Sequence, residues 1–115
     1  MRQVRADPYD PAIFGTAMTS PAALDGQTAL VTGGGRGIGR AIALALGAAG
    51  AEVVVNYSSS AAAAEEVVAT IAGVGGKAYA LQANVSVEEE VDGLIKTVLE
   101  RSGRLDVLVN NAGIT

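Results

Sequence analysis

Gly33, Gly34, Gly35, Gly37 and Gly39 fall within the stretch Thr-Gly-Gly-Gly-Arg-Gly-Ile-Gly at residues 32–39. Glycine loses more backbone freedom on folding than any other residue, so a run of it needs a reason. A chain without Cβ atoms can bend sharply and bring its N–H groups against a ligand. The short apolar run Ala29-Leu30-Val31 precedes these glycines, and Ile38, Ile42, Ala45, Leu46 and Ala49 recur after them at helical spacing. A turn from a strand into a helix N-terminus offers unpaired amides and a partial positive charge, which is the chemistry of a diphosphate cradle. Gly33 lets the chain turn out of the strand, Gly37 leaves room for a pyrophosphate against the backbone, and Gly39 lets the helix approach closely. No Gly-Lys-Ser/Thr follows, so the run is not a Walker A loop. A glycine run alone also serves as a structural turn; the flanking strand and helix give this one its phosphate reading.

The next strand addresses which dinucleotide is bound. Sites that read an unphosphorylated adenosine ribose carry Asp or Glu at the C-terminal end of the second strand. Here that end reads Asn56-Tyr57-Ser58-Ser59, and Glu52 is at the wrong end. With no carboxylate to repel it, a 2′-phosphate is tolerated. Arg36 is spaced to attract that phosphate and Ser58 and Ser59 to add hydroxyls, so NADP(H) is expected over NAD(H). The alternative for Arg36 is a solvated loop cation.

These residues need a scaffold, and the pattern supplies one. Thr28–Thr32 reads as a short buried strand, followed by a helix that Gly50 stops. Residues 51–57, Ala-Glu-Val-Val-Val-Asn-Tyr, read as a strand buried on both faces. Ser60 is expected to cap a helix over 61–72, with Ala64, Val67, Val68 and Ile71 inward. Residues 77–83 form a third strand. Ser86 is expected to cap a helix over 87–102, with Val87, Val91, Leu94, Ile95, Val98 and Leu99 as its apolar stripe, and Glu88, Glu89 and Glu90 complement its dipole. Residues 105–110 form a fourth strand. The order βαβαβαβ predicts an α/β fold, a Rossmann-like doubly wound parallel sheet. Residues 1–23 hold all three prolines and show no periodicity, so they read as an extension, with the domain at 24–115. Residues 1–17 are either an upstream segment outside the fold, with Met18 as the first residue, or a disordered tail.

Composition excludes several alternatives. The 115 residues suit one domain, and half are hydrophobic but only 3% aromatic, so Ala, Val, Leu and Ile must build the core. A net charge of −4 without a basic block argues against nucleic acid or an anionic membrane as partner. There is no Cys and no His, which removes thiolate and imidazole metal sites. No apolar run approaches a membrane span and no secretory leader is visible, so a cytoplasmic protein is expected.

With Thr-Gly-Gly-Gly-Arg-Gly-Ile-Gly at 32–39 and Asn-Asn-Ala-Gly at 110–113, the chain resembles the short-chain dehydrogenase/reductase family. Residues 56–71 and 103–115 look most like the 3-oxoacyl-[acyl-carrier-protein] reductases of fatty-acid synthesis, and the likeness covers about residues 25–115. It implies an NADP-dependent reductase in which Thr32, Gly33, Gly35, Arg36, Gly37, Ile38 and Gly39 hold the pyrophosphate and adenosine ribose. It implies that Asn56, Tyr57 and Ser58 read the 2′-phosphate and that Asn84 and Val85 flank the adenine. Asn110, Asn111, Ala112 and Gly113 then steady the fourth strand and line the cleft, Asn110 mainly by bridging backbone groups. At Asn84 the family usually has Asp, and a neutral amide is the weaker acceptor for an adenine amino group. The family's catalytic Ser, Tyr and Lys fall after Thr115, and no substitute is visible: Tyr9 is in the extension, Tyr57 is at the adenosine end, and residue 83, four after Tyr79, is Ala. The chain therefore reads as the cofactor half of a reductase whose acyl thioester substrate and homotetramer belong to the full-length protein. The competing expectation is a non-catalytic dinucleotide-binding module or partner subunit.

Overall fold

The computed structural model describes residues 2–5 and 23–111. Their elements, in chain order, are β1 (Arg2–Arg5), β2 (Thr28–Val31), α1 (Gly37–Ala48), β3 (Glu52–Tyr57), α2 (Ala61–Gly73), β4 (Lys77–Gln82), α3 (Glu88–Ser102) and β5 (Val107–Asn110). They form one parallel sheet ordered β1-β5-β2-β3-β4. From β2 onward this is the expected alternation, and each helix is the crossover that a parallel neighbour requires.

The strands read as unbroken apolar runs because both faces are covered. Ala29, Val31, Val53, Val55, Val107 and Val109 point to one face, where Ile42 and Leu46 of α1 and Val67 and Ile71 of α2 close the core. Leu30, Val54 and Leu108 point to the other, against Leu94 and Val98 of α3. Small β-branched side chains on the sheet and alanines on the helices let these layers approach closely. The two ends of the apolar stripes differ from expectation: Ile38 and Leu99 are exposed.

Two local differences have physical causes. Ser86 does not cap α3; Val87 holds that position without a side-chain bond, and the Ser86 hydroxyl donates to Asn84 instead. Arg2–Arg5 lies parallel to β5, Arg2 beside Val107 and Arg5 beside Asn110, in a stretch where no strand was expected. The outer edge of β5 would otherwise leave a row of unpaired N–H and C=O groups, and backbone pairing needs no side-chain pattern. Residues 6–22, the rest of the expected extension, and 112–115 lie outside the described residues.

Candidate functional site

All strands being parallel, their C-terminal ends meet along one edge, where β5, β2, β3 and β4 deliver Asn111, Gly33, Ser58 and Asn84 in that spatial order. The chain passes from β2 to β3 on one side, while β5 flanks β2 on the other. A crevice at such a reversal is where doubly wound sheets take ligands.

The glycine turn is held from both sides. Gly33 and Gly37 have φ of 62° and 55°, backbone conformations that side chains disfavour. On the β3 side, the Gly33 N–H donates to Asn56 Oδ1 at 3.2 Å and the Gly34 N–H to the Asn56 carbonyl at 3.1 Å. On the β5 side, Asn111 Nδ2 donates to the Gly33 carbonyl at 2.8 Å. The Asn111 N–H donates to Thr32 Oγ1 at 2.9 Å, and that hydroxyl donates to the Val109 carbonyl at 3.2 Å. Gly39 has its own reason: a Cβ there would collide with the Gly33 carbonyl and the Asn111 amide. The close approach expected at Gly39 is thus to the turn and its brace. Space beside Gly37 is open, as a ligand against the backbone requires.

α1 then begins at Gly37 with no acidic residue in its first turn, leaving its leading amides and positive dipole end uncompensated. The Arg36 guanidinium donates to Ser60 Oγ at 3.1 Å and forms no ion pair among the described residues, whereas Arg40 is paired with Glu66 at 3.2 Å. A cleft of about 160 Å³ runs between Arg36, Gly35, Tyr57, Ser58 and Ser60. A second, of about 380 Å³, continues past Gly33 and Ser58 to Asn84, Val85 and Ser86. The two clefts thus join Gly33, Gly35, Arg36, Tyr57, Ser58, Asn84 and Val85 along one path. Thr32 lines the apolar cleft of Leu30 and Leu108 instead, Gly37 begins α1, and Ala112 and Gly113 lie outside the described residues.

Two expected roles are redistributed. Asn56 is 1% exposed, and its amide also donates to the Leu81 and Ala83 carbonyls at 3.3 and 3.2 Å. Its side chain ties β3, β4 and the turn together. Asn111, rather than Asn110, bridges the strands; Asn110 instead lines an apolar cleft with Leu30, Leu94 and Leu108. Sequence reading did not single out Asn56 as a brace, though a polar side chain inside Val-Val-Val-Asn-Tyr is a signal for an internal hydrogen-bond network.

A depression of about 530 Å³ opens at the other end of the sheet, lined by Asp25, Glu52, Lys77 and Arg104. The helices end there and present carbonyls, the wrong polarity for phosphate. Beside it Arg104 makes two 2.7 Å hydrogen bonds to Asp106, which accepts another from the Thr28 N–H at 2.8 Å. The Arg104 bond leads in holding the Asp106 carboxyl below its ordinary value; the Thr28 N–H helps and burial opposes.

The sequence model of the family described as short chain dehydrogenase matches residues 27–115. The chain belongs to this family. It is 62% identical over 93 residues to a 3-oxoacyl-[acyl-carrier-protein] reductase of Synechocystis sp., covering 81% of this chain and 38% of that protein. A short-chain dehydrogenase from Mycobacterium avium superposes with a TM-score of 0.75 at 48% identity, covering 80% of this chain and 35% of the other. The angucycline C-6 ketoreductase LanV, solved with bound NADP, gives 0.71 at 52% identity, covering 79% and 38%. The chain thus spans well under half the length of the relatives it matches. Family membership supports a nicotinamide dinucleotide as ligand. The open amides at α1, the space beside Gly37 and an Arg36 with no ion pair among the described residues fit such a diphosphate.

Proposed function

We propose that the protein is an NADPH-dependent carbonyl reductase of 3-oxoacyl thioesters on acyl carrier protein, with residues 24–115 as its dinucleotide-binding part. The observation that carries the cofactor choice is Arg36, without a carboxylate partner among the described residues, facing the acid-free end of β3 across the cleft with Ser58 and Ser60. A guanidinium and hydroxyls bind a 2′-phosphate, whereas a ribose 2′-OH leaves that charge unmatched. Gly33, Gly37 and the first amides of α1 hold the pyrophosphate, and Asn84 and Val85 border the base. Bound NADPH supplies the hydride for the carbonyl. This chain's residues bind and orient it, and none of them is assigned a proton-transfer role. The acyl thioester rests on the 62% identity to the Synechocystis reductase. As the family resemblance implies, the whole enzyme is a homotetramer.

Calorimetric titration of the chain with NADPH and NADH tests this reading. NADPH is expected to bind at least tenfold tighter; equal affinities overturn the phosphate assignment. The chain alone is also expected to leave NADPH unoxidised with an acetoacetyl thioester, and turnover would contradict the binding-only role.

A further inference from the structure

β5 is composed as an interior strand. Val107 and Val109 point to one face of the sheet and Leu108 to the other, and all three are buried. A parallel strand that is apolar on both faces belongs inside a sheet, with a partner along each edge. β2 pairs with one edge of β5. The other edge is taken by β1, Arg-Gln-Val-Arg, four residues of which two are arginine. That composition is the opposite of β5: short and charged, as strands that end a sheet are. The register runs from Arg2 beside Val107 to Arg5 beside Asn110, so the whole length of β5 is covered. The pairing draws on backbone N–H and C=O groups, which any sequence carries.

We propose that Arg2–Arg5 is a removable cap on the β5 edge, and that without it this edge becomes the docking surface for a second copy of the chain. A bare strand edge is a template for another strand. The second copy fits because the edge is self-complementary. A two-fold axis brings β5 to β5 antiparallel, each molecule offering the same Val-Leu-Val-Asn strand, and the two sheets run on into one. Tethering decides which pairing wins while the cap is present. Residues 6–27 join β1 to β2 in one chain. β1 therefore meets its edge at an effective concentration on the order of millimolar, against a second copy at micromolar. The N-terminal residues thus set the association state of the domain.

Sedimentation velocity over a range of protein concentrations, with far-UV circular dichroism, tests this on three forms. They are the whole chain, a chain lacking residues 1–5, and the whole chain carrying both Gln3→Pro and Val4→Pro. The prolines keep the length and charge of the segment and remove two of its N–H donors. The whole chain is expected to stay monomeric. Both altered forms are expected to keep the circular dichroism of the fold and to rise at least about twofold in mass with concentration, as pairing about a two-fold axis requires. An altered form that stays monomeric or loses the folded signal, or a whole chain that associates to the same extent, overturns the proposal.

Discussion

At the residue scale, two side chains with similar promise have opposite roles. Arg36 is exposed and its guanidinium makes one hydrogen bond among the described residues, to Ser60, so it is available to a ligand. Arg36→Ala is expected to weaken NADPH binding about tenfold, the size of one charge-assisted hydrogen bond, and to leave NADH binding within twofold. Titration calorimetry measures both. Asn56 is buried and spent on structure, with one acceptor contact to Gly33 and donor contacts to Leu81 and Ala83. Asn56→Asp, nearly isosteric, turns a carboxylate oxygen toward carbonyls that need a donor. The expected loss is about 2–4 kcal/mol in urea unfolding, the range for uncompensated buried polar groups. The glycines and Arg36 were legible in the sequence because their chemistry lies in residue type and local spacing. The brace was not, because Asn56 and Asn111 act on Gly33 across 23 and 78 positions of chain. Two adjacent asparagines, Asn110 and Asn111, offer no local signal of which faces the turn.

At the element scale, glycines divide by what surrounds them. Gly39→Ala puts a methyl into the Gly33 carbonyl and the Asn111 amide. It is expected to lower stability by about 1–3 kcal/mol despite the better helix propensity of alanine. At Gly93, inside α3, an added methyl group would meet nothing within 4 Å, so Gly93→Ala is expected to raise stability by about 0.5–1 kcal/mol. Thermal or urea unfolding of the two variants reads both signs. The loop into β5 gives a pH dependence. Asp106 titrates below its ordinary range in the folded chain, so its contribution to stability is complete above the ordinary carboxylate pKa. That contribution is lost as pH falls through the lowered value. Asp106→Asn should therefore flatten the fall of melting temperature between about pH 5 and pH 3; an unchanged acid slope would remove this group from the account. Strands β2 to β5 and the helices were readable from periodicity and glycine stops. β1 was not, because it depends on the open backbone edge of β5. Nor was the start of α3, where Ser86 turns its hydroxyl to Asn84.

At the scale of the whole molecule, the two ends of the sheet have opposite polarity. Amides of the glycine turn and of α1 gather at the strand C-termini, and helix carbonyls gather around the larger depression at the other end. The parallel order that produces this asymmetry was readable from the alternation of elements. The relative size of the two clefts was not, because it depends on how helix ends and loops fall in three dimensions. Among the described residues no helix is long and apolar enough to cross a membrane, and no cluster of acidic side chains could hold a metal. Phosphate recognition at the amide-rich end is the claim on which the account depends. An amide-resolved NMR titration of the chain with NADPH tests it most directly. The largest shifts are expected at Gly35–Gly39, Ser58–Ser60 and Asn84–Val85; shifts concentrated at Asp25, Gly50, Gly75 and Arg104, or none at the glycine turn, would contradict it.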